Sequence, residues 1–280
     1  MRKNIIRLVL IVLSLFILDP IFFIRNCQGQ WVQTSGPGGG SIPCIAGSGD
    51  NIFAGTYDGG IFKKSGDGWY PVNNGLSNLH VLSLALSGTY LYAGTLGSGV
   101  FLSSDNGDSW VNIGLNNYSV NCIAVIGTIV FAGINCGGVY RTTDNGTNWI
   151  AVNTGLTNNC IKCFAVLDSN LIVGTNGGSI FLTTNYGTSW NQASTGLTDI
   201  VIWSLLVNDG IIFAGTHSKR VFKSTNNGNL WIPANNGLPL SIVLSLNYSE
   251  GNIFAGTQTH GIFKSSDSGE SWMPVNNGLT

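Results

Sequence analysis

A tryptophan returns every 39 to 41 residues along most of this chain, at Trp69, Trp110, Trp149, Trp190, Trp231 and Trp272. Each closes the same cassette: SSDNGDSW (Ser103–Trp110), TTDNGTNW (Thr142–Trp149), TTNYGTSW (Thr183–Trp190), STNNGNLW (Ser224–Trp231) and SSDSGESW (Ser265–Trp272). The first copy, KKSGDGWY (Lys63–Tyr70), is degenerate. A fixed period of about 40 residues requires stacked copies of one supersecondary unit. Such an array is one body, although a chain of 280 residues could otherwise hold two domains.

Val81–Leu115 shows what one unit is. Its alternating apolar runs are separated by Gly, Ser, Asn and Asp, which predicts four antiparallel strands. They are A (81–86), B (90–94), C (100–103) and D (110–113). The other copies align with it, carrying an AGT-like element in strand B and an NGL element after strand D. Four strands per unit predict an all-β fold, a β-propeller of about six blades. The blades fall near 42–76, 81–115, 120–156, 161–197, 202–238 and 243–280. QWVQTSGPG (Gln30–Gly38) resembles one more strand D, led by Trp31. Six blades are the expectation; a seven-bladed ring with an incomplete last blade is the alternative.

Composition excludes some functions. The net charge is −1 and only 9% of residues are charged, so no basic stripe exists to neutralise phosphates and no nucleic-acid partner is expected. Arg2, Lys3 and Arg7 precede the apolar run Leu8–Leu18, as in a secretory signal, and Asp19 and Pro20 break that run short of a spanning length. Cleavage after Cys27-Gln28-Gly29 would leave Gln30 at the mature N-terminus. This reading makes residues 1–29 a signal peptide and residues 30–280 a secreted or cell-envelope domain. The alternative is an uncleaved anchor, the only contact with a membrane that the sequence offers.

The cassette Ser/Thr-x-Asp-x-Gly-x-Thr/Ser-Trp resembles the Asp-box, or bacterial neuraminidase repeat. Asp105, Asp144 and Asp267 hold the acidic position, with Asn185 and Asn226 as departures. Gly107, Gly146, Gly187, Gly228 and Gly269 follow two residues later. The resemblance places the box in the C–D turn. There the Asx side chain can bond backbone N–H groups, the glycine supplies positive φ, and the tryptophan packs between blades. Calcium binding would need more oxygen ligands and a terminal bidentate Glu, so no metal or other cofactor is expected. The family includes sialidases, xyloglucanase-type hydrolases, sortilin-like receptors and photosystem II assembly factors. A sialidase needs an arginine triad, but after the leader this chain has only Arg141 and Arg220. A glycosidase needs two carboxylates across a cleft, and the site-face candidates are Asp58 and Asp199.

Cys44, Cys122 and Cys163 align with Ser83, Ser204 and Ser245 at one strand-A position that wants a small side chain. Cys160 and Cys163 are spaced like a metal or redox pair, but residues three apart on a strand face opposite ways. Cys136 and Cys160 fall in neighbouring blades on one propeller face, a disulfide candidate in an exported chain. His80, His217 and His260 belong to separate blades, which argues against a shared zinc ion. The face formed by the D–A and B–C loops carries the non-repeating residues, where function is usually grafted. Its ligand-binding candidates are His80, Asn121, Lys162, Trp203, His217, Lys219, Arg220 and His260. The leading expectation is a non-catalytic module that binds a protein or a cell-surface glycan. A glycan hydrolase using Asp58 and Asp199, and a repeat fragment of a larger surface protein, are the alternatives.

Overall fold

The computed structural model describes residues 36–49 and 51–279. Six four-stranded antiparallel sheets follow one another around a ring, and no helix occurs among the described residues. The fold is an all-β six-bladed propeller. The leader, its cleavage point and the Gln30–Ser35 part of the extra strand lie outside the described residues.

Within a sheet the strands lie in chain order, so A starts where B ends. The D–A and B–C loops therefore share one rim, and the A–B and C–D turns share the other. Blade 2 is representative, with strands at Val81–Ser87, Tyr90–Thr95, Val100–Ser103 and Val111–Asn112. Strand D is shorter than the sequence pattern implied. Trp110 stands just before it because its own main-chain N–H donates to Asn74 O in the previous blade (2.8 Å). Strand A of each blade packs along strand A of the next across five seams. The seam from blade 6 to blade 1 lacks that packing among the described residues.

The core sits between blades. Phe53, Phe131 and Phe213 on B strands are fully buried, and the next blade's tryptophan joins each cluster. The indole N–H of Trp110 donates to Val72 O, Trp149 to Ile113 O, Trp190 to Val152 O, Trp231 to Ala193 O and Trp272 to Ala234 O, all at 2.7–2.9 Å. Each tryptophan thus fills a hydrophobic slot and satisfies a carbonyl of the preceding blade.

The small position in strand A has a close-packing cause. Cys44, Ser83, Cys122, Cys163, Ser204 and Ser245 each lie opposite a strand-B glycine. A Cβ on Gly133 would come within 2.5 Å of Cys122 Sγ and 2.6 Å of Ile161 in the next blade. Nothing larger fits between such sheets. Desolvation pushes the Cys44 and Cys163 thiols up to about 12 and raises Cys122 well above the ordinary value, so all three stay protonated.

Candidate functional site on the loop rim

The cassette rim is built for structure. Asp105 Oδ1 accepts from Ser103 Oγ (2.7 Å) and from Ser109 N (2.9 Å), while Ser103 Oγ accepts from Gly107 N (2.8 Å). Asn106 and Gly107 both have positive φ. The four later cassettes repeat these bonds, including the copies built on Asn185 and Asn226. Hydrogen bonds from the Ser109 side chain and backbone, then from Ser103, lower the Asp105 carboxyl to about 2. Asp267 is likewise lowered to about 2, chiefly by Ser271. These carboxylates are acceptors engaged in a turn. The degenerate first cassette instead forms a tight hairpin at Ser65–Gly68.

Two supports on the repeat were not read from the sequence. Lys63, Arg141 and Lys223 occupy one strand-C position and reach the backbone carbonyls of Asn106, Tyr186 and Ser268 in the next blade's cassette. Lys223 also pairs with Glu270, which engages that glutamate on the structural rim. In the NGL element, the side chains of Asn73, Asn153, Asn235 and Asn276 accept from the first N–H groups of their own strand C. Repetition at fixed offset is the signal that would have found both.

The opposite rim departs from strict repetition at two kinds of position. The first is a β-bulge. Pairing of strand A with strand B slips by one residue at Leu82, Asn121, Lys162, Trp203 and Leu244. These five are the variable second position of strand A. A bulged residue has no cross-strand partner and its side chain is re-aimed. Lys162 Nζ lies 4.8 Å from the centroid of the Trp203 ring, a cation–π contact between blades 4 and 5. Asn121 Nδ2 donates to Ile161 O (2.8 Å), just before Lys162. Trp203 is half-buried, and its indole N–H is buried with no hydrogen-bond partner among the described residues.

The second kind is a left-handed residue before strand C. Gly60, Gly99, Gly138 and Gly261 fill it in four blades, while Ser179 and Arg220 fill it in blades 4 and 5. Arg220 has φ 67° and its buried Nε lacks a partner among the described residues. A large side chain in that region is strained, by about 1–2 kcal/mol. Strain of this kind clusters at functional sites.

The two carboxylate candidates are not brought together. Asp58 is exposed in blade 1, 3.2 Å from His80 Nε2, with Tyr57 edge-on to the same imidazole. Asp199 lies buried in the linker from blade 4 to blade 5. Its Oδ2 accepts from Ser218 N (2.5 Å), Ser218 Oγ (2.9 Å) and Lys219 N (3.2 Å), and its Oδ1 accepts from Val201 N (3.2 Å). Burial opposes its charge, but the donors from Ser218 and Val201 outweigh that and lower its pKa. Asn78 and Asn158 hold the corresponding bends, accepting from His80 N and Cys160 N. Asp199 is therefore a linker clamp in this structure.

His217 and His260 are exposed in B–C loops, with His260 Nδ1 2.8 Å from Thr259 Oγ1. Among the described residues no three His, Cys, Asp or Glu side chains gather as metal ligands. Cys136 and Cys160 form a disulfide across the same rim, tying the B–C loop of blade 3 to the start of blade 4. Among the described residues no helix is long and apolar enough to cross a membrane.

No protein-family profile matches the chain, and no curated protein matches it. Solved structures do. The GH74 xyloglucanase from Xanthomonas campestris shares 16% identity at a TM-score of 0.68, over 88% of this chain and 46% of that one. YCF48 bound to D1 peptide shares 17% at 0.66, over 86% and 84%. PorZ, a surface component of the type-IX secretion system of Porphyromonas gingivalis, shares 11% at 0.66, over 88% and 43%. The chain thus spans less than half the length of the xyloglucanase and of PorZ. These likenesses place the chain among β-propellers, a fold that the xyloglucanase shares with PorZ and YCF48. At such identities they show the fold alone.

Proposed function

We propose that this chain is an exported binding module of the Asp-box type. Its ligand surface lies on the D–A/B–C rim around blades 4 and 5. One observation carries the reading: blade 5 breaks the repeat at both irregular positions, with Trp203 at the bulge and Arg220 at the left-handed site. Lys162 on the Trp203 ring and exposed Lys219 add positive charge beside an aromatic platform. Asp199 is the nearest linker carboxylate, and backbone and hydroxyl donors already occupy it. An anionic or hydroxyl-rich ligand, either an acidic peptide segment or a cell-surface glycan, suits such a surface. The YCF48 bound to D1 peptide is a precedent for a peptide on this fold.

The test is a panel of soluble polysaccharides and acidic peptides, with depletion and reducing-end release followed together. Binding without release, abolished by Trp203→Ala and Arg220→Gly, is the expected result. Release that survives those changes but falls with Asp58→Asn and Asp199→Asn would establish the hydrolase instead.

A further inference from the structure

Besides the irregular positions of blade 5, the loop rim has a set of exposed apolar side chains at repeated positions. Six equivalent backbone ties hold its loops at one level. Leu96 N donates to His80 O, Asn135 N to Ser119 O, Asn176 N to Cys160 O, His217 N to Val201 O and Gln258 N to Ile242 O, and Tyr57 N makes the same bond to Ser41 O. Each tie joins a B–C loop to the linker that enters its own blade, so the fold itself fixes this face. The residue just before the accepting one is Leu79 in blade 2, Tyr118 in blade 3 and Ile200 in blade 5. All three are exposed, Ile200 by 58%. Leu240, two residues before the acceptor of blade 6, is 70% exposed, and Tyr57 and Leu96 are exposed at the ties themselves. One exposed leucine is ordinary on any protein, but six large apolar side chains in the loops of one face characterise that face.

Charge is sorted along the same axis. Nine of the eleven Asp and Glu residues among the described ones lie in A–B or C–D turns, on the cassette rim. The two on the loop rim are engaged: Asp58 faces His80, and buried Asp199 accepts from Ser218 and Lys219. Lys63, Arg141 and Lys223 are held by cassette carbonyls. Lys162, Lys219 and Arg220 stand on the loop rim and pair with no carboxylate among the described residues. This face therefore offers apolar and cationic groups together. The pairing suits the interface of an anionic lipid bilayer, where leucine and tyrosine enter the headgroup layer while lysine and arginine meet the phosphates. An acidic chain held at blade 5 would leave Leu79, Leu96 and Tyr118 uncovered across the ring, whereas a planar bilayer meets all six blades at once.

We propose that the D–A/B–C rim rests on an anionic membrane surface. The apolar side chains at the ties enter the headgroup layer, and Lys162, Lys219 and Arg220 lie against lipid phosphates. The contact is peripheral and needs no spanning segment. It goes beyond the binding reading: the rim is the same, but the contact depends on Leu79, Tyr118 and Leu240, which take no part in the blade 5 surface.

Vesicle sedimentation and hydrogen exchange on the intact chain test it, with vesicles of equal parts phosphatidylglycerol and phosphatidylcholine against phosphatidylcholine alone. The chain should favour the anionic vesicles, and on them exchange should slow in the D–A linkers and B–C loops while the cassettes stay unchanged. Lys219→Gln should lower partition about fivefold. Leu79→Ser combined with Leu240→Ser should lower it about tenfold. Asn159→Leu should raise it, because exposed Asn159 is the polar counterpart in blade 4 of Leu79, Tyr118 and Ile200. Val111→Ser and Met273→Ser, at positions 65% and 63% exposed on outer D strands, should change nothing. Every variant carries the same N-terminal segment, so the differences among them read the rim. Protection confined to residues 1–41, or equal on both rims, overturns the proposal. So does a loss from Val111→Ser equal to that from the leucine pair. Capture of a soluble acidic peptide or polysaccharide without any vesicle contact refutes the membrane contact and leaves the binding reading standing.

Discussion

Trp231→Ala removes the most completely buried cassette side chain, 1% exposed between blades 4 and 5. A tryptophan removes about 200 Å² from water, which at about 25 cal/mol per Å² is about 5 kcal/mol. Part of that surface stays covered by Ala, and the void left behind adds back, so the net loss should be about 3–5 kcal/mol. Within it lies the 2.8 Å bond to Ala193 O, a partly buried acceptor left without its donor. Trp231→Phe keeps most of the apolar volume and loses that bond, so it should cost about 1–2 kcal/mol. Urea unfolding of the three proteins, followed by far-ultraviolet circular dichroism, gives both differences directly. Trp149 supplies an internal comparison: it makes the same bond but is only partly buried, so its alanine variant should cost less. If Trp231→Ala costs less than about 1 kcal/mol, or Phe is as damaging as Ala, the tryptophan is not the inter-blade wedge described here.

Three further outcomes are expected. Asp105 and Asp267 are lowered to about 2, and Asp144 is lowered too, from an unfolded value of about 3.9, so their stabilisation is complete above that pH and lost as pH falls through the folded values; urea midpoints measured from pH about 4 down to about 2 should drop for the parent and drop less for Asp105→Asn. Reducing the Cys136–Cys160 bond, which spans 24 residues, should destabilise the chain by about 3 kcal/mol, read as a midpoint shift with and without dithiothreitol and absent in a Cys136→Ser, Cys160→Ser variant. Arg220→Gly should be near neutral in stability, within about 0.5 kcal/mol, because relief of the left-handed strain offsets the greater unfolded-state freedom of glycine; thermal melts check this, and a clear loss would mean that Arg220 is there for packing.

The blades were legible because their period is long, regular and punctuated. Alternation, the AGT and NGL elements and the cassette each fix a strand or a turn through local chemistry. The cassette bonds follow from residue types alone, as the matching geometry of the Asp105 and Asn185 copies shows. The bulges were not legible, because an unpaired residue reads in sequence only as a variable one. Arg220 could be picked out as a departure, but its left-handed backbone is visible only against the glycines of four other blades. The hydrogen bonds that hold Asp199 were not legible for a related reason. Its partners at Ser218 and Lys219 are distant in sequence, and only the fold brings them to the carboxylate.

The bulges also separate two kinds of inheritance in this molecule. Every paired residue of strand A answers to a neighbour across the ladder, so drift there is held in check by the sheet. Leu82, Asn121, Lys162, Trp203 and Leu244 answer to no such neighbour. They form five adjustable sites on one scaffold, Lys162 and Trp203 as a contacting pair, that can change while the ladder beneath them stays in register. A combinatorial library varied only at these five positions should remain folded across most of its members, and its selectivity would be written in those side chains alone.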